Sequence, residues 1–178
     1  MASETRKQLS DDHEAVHEVL AQVVTALRDK DVKASYGKLD LLWARLAVHI
    51  RAEHLHLFPA VTGRVSEAQT IVETLREDHD FFMRELARAV GVLRELPRAL
   101  SPDVEGKLSS VLDVVLAVEK RLADHNDREE KQVYHWAATV LTDTEQTDLA
   151  ARVNAELEHR PSRFSVDAWT NKLQMNHD

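Results

Sequence analysis

The sequence contains no cysteine, which excludes disulfides, thiolate metal sites, iron–sulfur clusters and a cysteine nucleophile. Any metal must therefore be bound by nitrogen and oxygen ligands. Glycine and proline are scarce, with four of each among 178 residues, and a chain rich in Ala, Leu, Val, Glu and Arg with so few helix breakers is typical of an all-α protein. The length fits one compact domain whose core is large enough to be stable without disulfide bonds.

Long apolar runs are also absent, since none approaches the roughly 18 residues that a membrane span requires, and the first seven residues are polar and charged. We therefore expect no membrane association and, by default, a cytoplasmic location. Acidic residues outnumber basic ones by 31 to 23, and the formal charge of −8 disfavours nucleic acid as a partner. The ten histidines stand out in this composition.

Apolar residues recur at helical spacing nearly throughout, and turn signals divide the chain into four long helices, a shorter helix and a tail. The fourth helix is expected to bend near Asn126 or after His135, because about 40 residues would stretch to roughly 60 Å, longer than its partners. The helices are predicted over about 10–31, 35–59, 67–96, 102–142 and 143–159.

Short connections between the long helices predict an all-α fold, an up-down-up-down antiparallel four-helix bundle with an additional C-terminal helix and tail. The predicted division is 1–142 for the bundle and 143–178 for a C-terminal part that packs on the bundle or extends from it. The tail, 162–178, is expected either to dock through Phe164 and Trp169 or to be disordered. The oligomeric state is predicted as monomer or homodimer.

Four histidines on the predicted core stripes fall at one pole of such a bundle. A helix places residues i and i+4 on one face, so His49 with Glu53, and His125 with Glu129, each offer an imidazole and a carboxylate to one point. One pattern occurs twice along the chain: a helix with one core histidine is followed by a helix with His-x-x-x-Glu. This duplication suits two metal ions better than one. The four histidines are His13, His49, His79 and His125.

Burying these groups without a counter-charge is costly. An unpaired buried carboxylate or imidazole costs several kcal/mol, and six such groups are hard to satisfy by hydrogen bonds among themselves. Two cations resolve the conflict, because two glutamates can bridge metals about 3.5 to 4 Å apart while four histidines fill terminal positions. Imidazole and carboxylate without thiolate suit iron, manganese or zinc.

In these motifs the sequence resembles the hemerythrin-like (HHE cation-binding) domain family over roughly residues 8–140. Order, spacing and helix context agree together. The matching segments are Asp12-His13, His49-Ile-Arg-Ala-Glu53 running into Leu57-Phe58-Pro59, Asp78-His79, and His125-Asn-Asp-Arg-Glu129-Glu130.

The resemblance implies a centre of two iron ions, Fe2+ or Fe3+ with an oxo or hydroxo bridge, for which zinc or manganese can substitute. Its partner would be a small diatomic or peroxide ligand. The resemblance assigns His13 and His49 to one iron, His79 and His125 to the other, and Glu53 and Glu129 to both as bridges.

One departure from the oxygen-carrying members concerns the third helix, where they have a second histidine and this chain has Met83. Two other histidines are candidates for an additional metal ligand. His17 follows His13 by four residues, and His56 follows Glu53 by three and lies on the predicted ligand stripe. The presence of Met83 in place of that second histidine puts simple oxygen carriage in doubt.

Two further side chains near the stripe receive no ligand role. His54 points away from the predicted core stripe and is assigned to a supporting or surface position. Tyr134 lies about half a turn from the ligand face and is assigned to packing.

A ferritin-like di-iron centre is the rival metal architecture, and it requires Glu-x-x-His on two helices. The first two helices contain such pairs, Glu14 with His17 and Glu53 with His56, but the fourth has Gln132 at the required position. The carboxylate count also falls short, so this rival ranks second.

Three functional hypotheses follow. The first is a non-haem di-iron protein that binds or reacts with dioxygen, peroxide or nitric oxide; whether it turns over, as a peroxide- or NO-handling oxidoreductase, stays open. The second is an iron- or oxygen-sensing regulatory module without turnover. The third is a helical module with incidental histidines, which metal analysis of the purified protein separates from the others.

Overall fold

The computed structural model describes residues 4–170, in which the regular secondary structure is helical. Two π-helical turns interrupt the long helices, one at Glu53–Leu57 and one at Glu129–Val133. The α-helices are α1 (Glu4–Arg28), α2 (Val32–Ala52), α3 (Phe58–Thr62), α4 (Ala68–Glu95), α5 (Pro102–Arg128), α6 (Tyr134–Val140), α7 (Asp143–Leu157) and α8 (Val166–Thr170).

Helices α1, α2, α4 and α5 pack as an antiparallel bundle, each against its two neighbours in the ring. The predicted all-α bundle with an additional C-terminal helix is therefore confirmed. Side-chain caps fix two of the helix starts, since Asp31 accepts from the N–H of Ala34 and Ser101 accepts from that of Val104. Helix α1 begins at Glu4, earlier than predicted, and its first turns bury Leu9.

The core consists of two apolar clusters with a polar layer between them. The main cluster fills most of the bundle and includes Val16, and the end cluster lies at one pole and includes Leu9. On α1, His13 lies between these two residues and is itself buried. The other three predicted histidines hold the same place on their helices, which puts a layer of titratable groups inside the bundle.

The C-terminal helices pack on the outside of α1 and α2. Helix α7 contributes Leu149 and Val153 to the end cluster, and it thus shares a core with the bundle. In α8, Trp169 packs against Ala44 and Val48 of α2, with Phe164 beside it. The division at residue 142 stays a prediction, and the tail beyond residue 170 lies outside the described residues. Within residues 4–170, no helix is both long and apolar enough to cross a membrane.

Candidate metal centre

Six side chains meet in the polar layer, and each is at most 5% exposed. They form two groups of potential metal-binding donors, and within each group the donor atoms lie within 4.8 Å of one another. We call these groups the first and the second position, and they share both glutamates. The first position comprises His13, His49, Glu53 and Glu129, and the second comprises Glu53, His79, His125 and Glu129.

The histidines are paired through their Nε2 atoms. These atoms lie 3.1 Å apart in His13 and His49, and 2.9 Å apart in His79 and His125. Two nitrogens that each lie about 2.1 Å from one cation, at a right angle, are about 3.0 Å apart. Each pair is thus spaced as two neighbouring ligands of a single metal ion.

Each glutamate turns one carboxylate oxygen to each position. Glu53 Oε1 lies 3.4 Å from His49 Nε2, and Glu53 Oε2 lies 3.4 Å from His79 Nε2. Likewise, Glu129 Oε2 lies 3.4 Å from His13 Nε2, and Glu129 Oε1 lies 3.0 Å from His125 Nε2. This is the arrangement of two carboxylates that bridge a pair of cations.

Two of the four carboxylate oxygens are buried with little hydrogen bonding, since Glu53 Oε2 accepts no hydrogen bond and Glu129 Oε1 faces His125 Nε2 at 3.0 Å. A buried acceptor without a partner costs about 1–3 kcal/mol, and more when it is charged. A metal ion at each position would satisfy these oxygens together with the facing imidazole nitrogens. The residues present therefore fit two metal ions.

The second ring nitrogen, Nδ1, of each histidine has a partner of its own. A partner that accepts from Nδ1–H fixes the ring orientation and leaves the Nε2 lone pair for a metal. The two aspartates that precede His13 and His79 in sequence serve the histidines of the following helices. The pairs are His49 with Asp12 at 2.9 Å, His125 with Asp78 at 3.1 Å, His13 with Glu130 at 3.2 Å, and His79 with His54 at 2.9 Å.

His54 holds the place in the first half of the chain that Glu130 holds in the second, directly after the shared glutamate. Burial and the charge of Arg76 lower the pKa of His54, which keeps its ring neutral. Its Nε2 lies 2.9 Å from His79 Nδ1, and its Nδ1 lies 3.4 Å from Arg76 Nη1, so the ring of His54 is held between these two side chains. The sequence assigned His54 to a supporting or surface position, and the structure shows the supporting contact.

Protons compete with metal ions for the donor atoms of this layer. Burial lowers the pKa of His125, but the charge of Glu129 and the hydrogen bonds to Asp78 and Glu129 outweigh it and raise that pKa to about 9. Burial raises the pKa of Glu53, and the neighbouring charge of Glu129 adds to this effect. Metal ions would have to displace these protons, so metal affinity should fall as pH falls.

Tyr134 belongs to the first position, although the sequence assigned it to packing. Its hydroxyl oxygen lies 3.1 Å from both His13 Nε2 and Glu53 Oε1, and 3.5 Å from Glu129 Oε2. Burial and the charges of Glu53 and Glu129 raise the pKa of the phenol well above its ordinary value. A cation among the same atoms would reverse this effect.

The second π-turn explains why helical spacing missed Tyr134. The N–H of Tyr134 donates to the carbonyl of Glu129, five residues earlier, where an α-helix would bond four residues back. The extra residue turns Tyr134 onto the ligand face. The first π-turn does the same for Phe58 after Glu53, and the ring of Phe58 stacks on that of His79. The recurrence of an aromatic residue five positions after each glutamate was the available signal.

Neither candidate for an additional ligand belongs to the two donor groups. His17 is half-buried, and its Nε2 lies 3.2 Å from the side-chain nitrogen of Asn126. His56 is also half-buried and lines a surface cleft with Arg64 and Leu149. The predicted ligand stripe through His56 assumed an unbroken α-helix, and the π-turn that begins at Glu53 rotates this residue away.

A bundle with two buried His/Glu groups that share both carboxylates defines a class of helical proteins suited to hold a pair of metal ions. The family model of the Hemerythrin HHE cation binding domain matches residues 4–137, and the chain belongs to this family. The resemblance inferred from the sequence is confirmed. No curated protein and no solved structure matches the chain.

Proposed function

We propose that this protein is a non-haem di-iron protein that binds or reacts with dioxygen, peroxide or nitric oxide. The observation that carries the proposal is the pair of shared glutamates, each with one oxygen at the first position and one at the second. Four imidazoles and two carboxylates without thiolate suit iron, with manganese or zinc as substitutes. Two bound irons would supply redox-active Lewis acids at the centre of the bundle.

The surroundings of the donor groups favour a small ligand. The ring of Phe82 meets that of His125 edge-on, with centroids 5.3 Å apart, and Phe58 covers His79 at 5.9 Å. These apolar rings keep bulk water from the imidazoles, and the six donor side chains are almost fully buried. A molecule of a few atoms fits such a site better than a large organic substrate does.

We further propose that Tyr134 is an oxygen ligand of the first position. Its hydroxyl lies within 3.5 Å of three of the four donors there, and the second position has Phe58 at the equivalent place. The hydroxyl is thus aimed at one metal position of the two. Without metal, the same hydroxyl donates a hydrogen bond to Glu53.

The substitution Tyr134→Phe tests this assignment. We expect the oxidised, iron-loaded protein to show a visible charge-transfer band from phenolate to iron(III), and we expect the variant to lose the band while it still binds both irons. Absorption and resonance Raman spectra would detect the phenolate, and metal analysis would verify the iron content. Phe58→Leu, which alters the other half and adds no oxygen, is the matched control. A wild-type protein whose resonance Raman spectrum lacks phenolate vibrations would rule out Tyr134 as an iron ligand.

The reaction with peroxide tests the proposed function. We expect the iron-loaded protein either to release oxygen from hydrogen peroxide or to oxidise an added reductant, at a rate proportional to bound iron. His56→Ala, outside both donor groups, should react like the wild type. An iron-saturated protein that is inert to peroxide, dioxygen and nitric oxide would contradict the proposal.

A sensing module without turnover is the second candidate, and one contact favours it. His49 is linked through Asp12 and Arg45 to the backbone carbonyl of Trp169 in α8. A change at the first position therefore has a short route to the outer surface of the bundle. Limited proteolysis of metal-free, reduced and oxidised protein would test it, since identical cleavage near α8 in all three states would leave the sensor without a signal.

A further inference from the structure

The two halves of the centre are supported by similar triads, each made of histidine, aspartate and arginine. In the first half, Asp12 accepts from His49 Nδ1 and, at 2.8 Å, from Arg45 Nη2. In the second half, Asp78 accepts from His125 Nδ1 and, at 2.6 Å, from the Nε of Arg121. Arg128 also reaches Asp78, at 3.3 Å. Each aspartate thus orients one histidine and is itself held by arginine.

The triads differ in the exposure of their arginines, while the aspartates are similarly buried, at 14% exposed for Asp12 and 8% for Asp78. The side chain of Arg45 is only 9% exposed, whereas those of Arg121 and Arg128 are 43% and 36% exposed. Ion pairs in contact with water are screened and contribute little, while a buried pair keeps its geometry and its interaction. The first triad is therefore the more rigid of the two.

Helix α8 is the element that covers Arg45. Arg45 Nη1 donates to the backbone carbonyl of Trp169 at 2.5 Å, and the guanidinium carbon lies 5.7 Å from the centre of the indole ring. The ring packs on Ala44 and Val48, on either side of Arg45 along α2. The guanidinium of Arg45 thus joins α8 to the carboxylate of Asp12, which orients His49. Arg121 has an aromatic neighbour of its own, since its guanidinium carbon lies 4.4 Å from the centre of the Phe81 ring, but its side chain stays 43% exposed.

We propose that α8 is a positioning element for the first metal position, acting through Arg45 and Asp12 on His49, and that it makes the first metal slower to exchange than the second. The inference rests on the proposed di-metal centre. Partners that orient a metal-bound histidine typically change metal affinity by about 10- to 100-fold. A triad held by a buried arginine on one side, and one held by exposed arginines on the other, should therefore separate the two metals kinetically.

The test is the release of iron(II) to a coloured chelator under anaerobic conditions, with the full-length protein loaded with two equivalents. We expect two phases of equal amplitude in the wild type. Trp169→Ala should accelerate the slow phase by roughly tenfold or more and leave the fast phase unchanged. Trp169→Phe, which keeps an aromatic ring on α2, should restore most of the slow phase.

A matched variant of the second half assigns the phases. The substitution Asp78→Asn should accelerate the fast phase alone, because it weakens the partner of His125 Nδ1 and leaves Asp12 untouched. If Trp169→Ala lowers the helical content of the protein, Arg45→Lys takes its place. That variant keeps the positive charge but cannot contact Asp12 and the carbonyl of Trp169 at once, and it should accelerate the slow phase in the same way.

The outcomes separate the two proposals. A protein that binds two irons but releases them in one phase, or in which Trp169→Ala accelerates both phases equally or neither, overturns the role of α8 and leaves the di-metal centre standing. A wild-type protein that binds no metal overturns both.

Discussion

Glu53→Ala and Glu129→Ala are each expected to empty both metal positions, whereas His49→Ala or His79→Ala should empty one. The reason is that each glutamate offers an oxygen to both groups, while each histidine belongs to one group only. Bound iron should fall from about two per chain to nearly none in the glutamate variants, and to about one in the histidine variants. Metal analysis after gel filtration of protein produced with added iron measures this directly.

His17→Ala and His56→Ala serve as controls, because both residues lie outside the two groups and should leave the iron content unchanged. Equal iron in the wild type, His49→Ala and Glu129→Ala would refute the ligand set. A loss of a single iron in Glu129→Ala would refute only the sharing of this carboxylate.

Removal of the metals should destabilise the wild-type protein, and Glu53→Gln should abolish this dependence of stability on metal. A ligand at about 1,000 times its dissociation constant contributes roughly 4 kcal/mol to the free energy of unfolding. For a domain of this size that corresponds to a fall of about 10 °C in melting temperature when the metal is removed. Glu53→Gln should show little or no response to metal, because the amide cannot replace the bridging carboxylate.

The metal-free Glu53→Gln variant should melt at a higher temperature than the metal-free wild type at pH 7. Burial and the charge of Glu129 raise the pKa of Glu53 in the folded protein. The folded state therefore favours the protonated carboxyl, and the stability that this proton provides is lost as pH rises through the folded pKa. Glutamine imitates the protonated form at every pH, so it keeps that contribution.

Thermal melts of both proteins, with and without metal, provide the measurement. Glu14→Gln, an exposed position on α1, is the control for the loss of one negative charge. A metal-free variant that melts below the metal-free wild type would show that Glu53 stabilises the folded chain without any cation, which would weaken the case for the site as a metal cage.

The bundle and the convergence of the donor groups could be predicted because both depend on regular helical spacing. The pairs His49 with Glu53 and His125 with Glu129 are four residues apart, and each glutamate is the first residue of a π-turn, so α-helical spacing still holds within each pair. Short connections then fix which helix ends meet. Four separated segments thus converge for reasons that the sequence displays.

The residues beyond the shared glutamates could not be predicted in the same way. A π-turn has no compositional signature, and it shifts the following residues by one position relative to α-helical spacing. His56 therefore leaves the predicted ligand face, while Tyr134 enters it. The contact of Arg45 with Trp169 escaped prediction for a different reason, since it joins residues 124 positions apart through an irregular connection.

The π-turns that begin at Glu53 and Glu129 also determine how this chain can be aligned or recombined with other helical bundles. Beyond each turn the backbone runs one residue out of step with the helix before it, a rotation of about 100° around the axis. Grafting a regular helix from another bundle across either boundary, or deleting one residue there, would carry all later side chains to a different face. Phe58 and Tyr134 would then point away from the two metal positions, even though the four histidines and two glutamates had been preserved.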